Sequence, residues 1–162
     1  MKRLLFAPLA LAVVLSTGFV TSGFAGAQGE EYARLSSEDL KNTLTGMGYE
    51  LKQIGKEPGK EKWEFSVKTT SFNIPIGAEV SGSKHFIWLT VSLGQISDKH
   101  EPKELLRLGA KVQPTQVYLS SKDNLMMAFA VDNRSVSPAL LKVRLEKLTQ
   151  DVENAASVWN KG

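Results

Sequence analysis

The sequence predicts an α+β fold, an antiparallel sheet of about five strands with helices packed on one side, in the order α-β-β-β-α-β-β-α. Three observations point to it. Trp63, Phe65, Val67 and Thr69 alternate with Glu64, Ser66 and Lys68, the period of a half-buried strand. Leu141, Leu145, Leu148, Val152, Ala155 and Trp159 recur in steps of four and three, the period of a helix with one apolar face. A Ser-x-x-Asp pair at Ser36 and Asp39, followed by apolar residues at helical spacing, opens another helix ahead of the first strand.

Each element follows in turn. Leu35 and Leu40 sit at the two positions of a hydrophobic staple around Ser36. Leu40, Leu44 and Met47 share one helical face, and Gly46 and Gly48 end that helix. Tyr49 and Leu51 begin a short strand, and the Gly55–Gly59 segment with Pro58 reads as a turn. After the strand at 63–69, Pro75 and Gly77 predict an irregular stretch or frayed edge strand between Phe72 and Gly82. From Lys84 to Leu93 both faces are apolar, with Ile87, Leu89, Val91 and Leu93 on one and Phe86 and Trp88 on the other. That pattern predicts a central strand covered at least in part on both sides.

Pro102 after Glu101 suits the first turn of a second helix, with Leu105, Leu106 and Leu108 inside and Gly109 at its end. Val117–Leu119 and Leu125–Val131 flank Ser121-Lys122-Asp123-Asn124, which reads as a hairpin. Ser137 as cap and Pro138 at the first helical position open the longest helix.

The N-terminus has a different character. Lys2 and Arg3 precede an apolar run from Leu4 to Val20, no further charge appears before Glu30, and Ala25-Gly26-Ala27 has the A-x-A spacing of a cleavage site. This is the order of a secretory signal peptide, residues 1–27, with cleavage after Ala27 and a periplasmic or secreted destination. The alternative is an uncleaved anchor, for which the run is short and interrupted by Pro8. Residues 28–35 form a polar lead-in, and residues 36–162 one domain. Removing 27 of 162 residues leaves 135, enough for one core without staples, and the chain has no cysteine. Lys2 and Arg3 leave with the signal, so 18 of the 20 basic residues remain against 17 acidic ones. A near-neutral domain with interspersed charge lacks the basic patch that nucleic acid requires.

The segment from Ser36 to Gly48 leading into Tyr49, the Glu104-Leu105-Leu106 triplet, and the hairpin from Gln116 to Asp132 followed at once by Ser137-Pro138 form a wider pattern. Over residues 36–159 it resembles the YbjN-like family of bacterial proteins, which shares its fold with class I type III secretion chaperones. The resemblance implies a small α-β-β-β-α-β-β-α domain, often dimeric, that binds other proteins and has no known active site. Secretion chaperones of this fold are cytoplasmic and usually acidic. This chain opens with an export signal and is almost neutral, so the fold is expected to carry over without the chaperone role.

Chemistry-bearing residues are sparse. His85 shares strand parity with Ile87 and Leu89 and reads as a rim position. His100 lies in Asp98-Lys99-His100-Glu101, a solvated loop before a helix; as metal ligands these residues lack a second His or Cys cluster to complete a site. Gly82-Ser83-Lys84-His85 does not match a nucleophile elbow, and no glycines form a phosphate loop. The expectation is therefore a non-enzymatic protein without cofactor or metal. It is an exported protein-interaction domain, a homodimer through its sheet or a helix, with contacts at Phe86, Trp88 and Trp159. The alternative is a small-ligand binding or hydrolytic envelope protein with His85 or His100 at a pocket mouth.

Overall fold

In the computed structural model, residues 33–161 are described, and the segment 1–27 expected to be a signal peptide, with most of the lead-in, lies outside them. Ser36 caps the first helix, α1 (Ser37–Gly46), by a reciprocal capping box: its hydroxyl accepts from Asp39 N–H, and the Asp39 carboxylate accepts from Ser36 N–H at 2.9 Å. The Ser36 hydroxyl also donates to the Asp39 carboxylate at 2.6 Å, and this bond, with the one from Ser36 N–H, holds the Asp39 carboxyl below its ordinary range. Leu40 and Leu44 bury the inner face of α1, and Gly48 takes the positive φ that ends it.

Six strands follow, β1 (Lys52–Gly55), β2 (Lys62–Lys68), β3 (Asn73–Val80), β4 (Phe86–Gln95), β5 (Gln116–Leu119) and β6 (Asn124–Asp132). They pair antiparallel in the order β1-β2-β3-β4-β6-β5. Helix α2 (Pro102–Lys111) links β4 to β5, and α3 (Pro138–Asn154) with the short α4 (Ala156–Trp159) closes the chain. The α+β order is as the sequence predicts, with one strand more. The addition is the segment holding Pro75 and Gly77, which forms a regular strand. Proline needs a position with no ladder bond to make, and Pro75 has one, because β4 accompanies β3 only from Gly77 to Val80.

The helices cover one face. Ile76, Ala78, Ile87, Leu89 and Met127 point into that layer fully buried, against Leu40 and Leu44 of α1 and Leu141, Leu145, Leu148 and Val152 of α3. Ser137 caps α3 by accepting from Leu140 N–H at 3.1 Å. Helix α2 departs from expectation twice. It runs through Gly109 to Lys111, and Leu106 points outward while Leu108 and Val112 are buried. A residue one step along a helix turns by about 100°, so Leu106 cannot share the face of Leu105 and Leu108.

Two buried polar groups fasten the layers. Asn133, at the end of β6, accepts from Leu35 N–H at 3.1 Å and donates to Leu35 O and Lys84 O at 2.9 and 3.0 Å. It therefore ties the entry to α1 and the β3–β4 turn to one point, and residues 33–35 belong to the folded body. On α3, the buried Asp151 carboxylate accepts from the Thr115 hydroxyl and the Lys147 ammonium, fixing the loop between α2 and β5.

Candidate functional site

Among the described residues no helix lies on the second face of the sheet, so the cover expected at least in part on both sides of β4 is only partial there. Alternation places even-numbered residues of β4 there. Phe86 and Trp88 lie side by side, ring centroids 6.3 Å apart, with Phe86 42% exposed and Trp88 half-buried. Strand pairing then adds neighbours that sequence spacing does not reveal. Trp88 stands opposite Ala130 of β6, and the next strand contributes Tyr118, 40% exposed. Small residues on β6, Ala128 and Ala130, leave room between the rings. Glu79, Trp88, Thr90, Gln116, Tyr118 and Ala128 line a shallow depression of about 300 Å³.

The face is polar toward β2. Lys62 reaches across to Glu79 at 3.4 Å. Gly77 lies beneath that crossing, where a Cβ would come within 2.8 Å of both Lys62 Cε and Thr90 Oγ1. The Thr90 hydroxyl donates to Gly77 O at 3.3 Å, so it is held by the backbone. Burial, and then the nearby Glu79 charge, push the Tyr118 phenol above its ordinary value, keeping it a neutral hydroxyl. The face thus offers flat aromatic area with a few hydrogen-bonding groups, a composition suited to contact with another protein.

Trp159 is not part of this surface. It is half-buried on the helical side, its ring 5.2 Å from Phe72, and its indole N–H donates to Val152 O at 2.8 Å. The structure brings Phe86 and Trp88 together and leaves Trp159 in the packing of α4.

His85 lies exposed at the end of the face, lining a small hollow with Arg34, Phe86, Asp132 and Arg134. The nearest serines serve the turn: Ser81 and Ser83 hydroxyls bond each other at 3.1 Å, and Ser83 Oγ accepts from His85 N–H. His100 Nε2 is 3.0 Å from Trp159 O, and its Nδ1 accepts from Ser97 N–H at 3.1 Å. The His100 ring is thus held against the end of α4, and the His85 backbone belongs to the β3–β4 turn. Among the described residues no three His, Cys, Asp or Glu side chains could hold a metal ion, and no helix is long and apolar enough to cross a membrane.

Sequence spacing missed a second apolar surface. Leu106 of α2 is 78% exposed and Leu119 of β5 48%, and with Leu105, Val117 and Tyr118 they border a groove of about 400 Å³ with an almost wholly apolar lining. A helical projection of residues 102–111 marks Leu106 as outward, which was the available signal. That Leu119 stands beside it depends on β5 occupying the sheet edge, which local sequence does not disclose.

No protein-family model matches the sequence, and no curated protein does. Solved structures do. The chain is similar to a chain of the heterodimeric ExoU–SpcU complex from the type III secretion system of Pseudomonas aeruginosa. The TM-score is 0.53 at 10% identity, over 75% of this chain and 98% of the other. It is also similar to a chain from the complex of the Yersinia pestis type III secretion chaperone SycH with a stable fragment of YscM2. There the TM-score is 0.48 at 16% identity, over 75% and 98%. At 10% identity the first likeness is one of fold, and it accords with the type III secretion chaperone-like fold that the resemblance over residues 36–159 implies.

Proposed function

We propose that this chain is an exported, non-enzymatic protein-docking domain of YbjN-like type that acts as a homodimer, with a protein partner on its uncovered sheet face. The observation that carries the reading is the aromatic half of that face, where Phe86 lies beside Trp88, Trp88 and Tyr118 line one depression, and no helix among the described residues lies above them. Exposed aromatic area on a rigid sheet is the usual material of an interface core. The second copy is assigned to the α2–β5 surface. The outer edge of β5 is uncharged and is paired with no strand among the described residues, and an antiparallel edge is complementary to itself about a two-fold axis. The exposed Leu106 and Leu119 flank that axis.

Export follows from residues 1–27 and is tested by the N-terminus of the protein recovered from cells, which starts at Gln28 if the signal is cleaved after Ala27. The dimer is tested by light scattering over a dilution series. A stable mass of two chains, reduced to one by Leu106→Glu and unaffected by Trp88→Ala, supports the assignment. A single-chain mass at every concentration removes the homodimer. For the sheet face, a photo-crosslinker at position 86 gives one discrete adduct that Trp88→Ala abolishes. An adduct pattern indifferent to Trp88 overturns that assignment.

A further inference from the structure

Strand β6 is longer than the strand guarding its outer edge. β5 accompanies it only from Leu125 to Ala128, whereas β4 accompanies it to Asp132 on the other side. Successive residues of a strand aim their N–H and C=O to alternate sides. Ser120 N–H donates to Asn124 O at 2.9 Å on the β5 side, and Asn133 N–H donates to His85 O at 2.8 Å on the β4 side. Even-numbered residues of β6 therefore face the β5 edge. Beyond Ala128 the next two are Ala130 and Asp132, and no backbone hydrogen bond between the described residues reaches either on that side.

The line that β5 vacates is a groove of about 620 Å³. It is lined by Pro114, by Ala130, Asp132 and Arg134, and by Leu140 and Arg144 of α3. Its charge is biased. Arg144 lies 5.5 Å from the centre of the Phe129 ring and has no ion-pair partner among the described residues. Arg34 adds a positive field at Asp132, the single acid there, whose carboxylate is already engaged by Arg134.

We propose that this groove accepts an extended, acidic segment of a partner protein as an added strand, collinear with β5 and hydrogen-bonded to Ala130 and Asp132. Backbone bonds would supply binding, and Arg144 would select an acidic side chain. A sheet edge of a second copy does not fit: among the described residues the two edges are β1, Lys-Gln-Ile-Gly, and β5, Gln-Val-Tyr-Leu, and neither bears an acid. The proposal rests on the protein-docking reading but uses a different surface from the aromatic face.

The test is an amide-resolved NMR titration of the protein expressed from its complete sequence. The probe is an acetylated, amidated peptide of six residues alternating Val and Glu. Ala130 and Asp132 amides shift and exchange more slowly on addition. Replacing Glu by Lys in the peptide, or Arg144→Glu in the protein, weakens binding by about tenfold or more. Peptides N-methylated at every Val or at every Glu differ sharply, because only one row of peptide amides faces β6. Shifts confined to Trp88 and Tyr118, or no shift at Ala130, overturn strand addition while leaving the aromatic face to its own crosslinking test. Equal binding of the Lys peptide overturns the acidic selection.

Discussion

The two faces of the sheet are made from alternate residues of the same strands, yet one is a core and the other a surface with a sticky half. On the helical side Ile87 and Leu89 of β4 are fully buried. One residue away, Phe86 and Trp88 look out from the same strand. The difference lies in what packs above, because α1 and α3 cover the first face and no other element among the described residues covers the second. It shows that hydrophobicity in β4 has two purposes, which substitution separates. Leu89→Ala empties a site closed on every side and costs about 2–5 kcal/mol. Phe86→Ala removes a ring already in partial contact with water and costs about 1 kcal/mol or less. Denaturant midpoints measure both, and equal losses would mean that the outer face is core as well.

The second contrast is between the ends of the sheet. At the β4–β6 end, one buried amide does what a helix cap or a ladder does elsewhere. Asn133→Ala leaves both backbone groups of Leu35 and the Lys84 carbonyl without their partner, at a cost of about 2–3 kcal/mol. Its effect is local: faster amide exchange at Leu35 and at the β3–β4 turn, with α3 unchanged. If exchange rises uniformly, the amide contributes only to global stability, and the end of the aromatic face is not held by it.

These contrasts also mark what the sequence could disclose. The caps at Ser36 and Ser137 and the stripe from Leu141 to Ala155 depend on neighbours within a few residues, and they were legible. Strand alternation likewise put Phe86 and Trp88 on the face opposite Ile87. What escaped was non-local. Pro75 disfavours a strand by its own chemistry, and only the short reach of β4 beside it makes one acceptable. Tyr118 and the bare edge at Ala130 follow from the order β4-β6-β5, which no spacing within 116–132 encodes. Trp159 continues the stripe of α3 by count, yet its ring turns to Phe72 through the break that starts α4.

The smallest expected effect lies at the junction of the two regions, where β6 ends at Asp132. Hydrogen bonds from the Arg134 side chain and backbone, helped by the charges of Arg134 and Arg34, bring the Asp132 carboxyl from 3.8 down to about 2. A depressed folded-state value means that the ionised form favours folding. The contribution is complete above the unfolded value of 3.8 and disappears as pH falls toward about 2. Asp132→Asn therefore lowers stability at neutral pH slightly, and the two proteins converge as the pH falls through that window. Because Asp132 is exposed to solvent, added salt shrinks the neutral-pH difference. Denaturation curves at pH 7 and pH 2, each at low and high salt, measure it. A difference that persists at pH 2 would place the role of Asp132 in its geometry, the turn it makes with Arg134 N–H, and not in its charge.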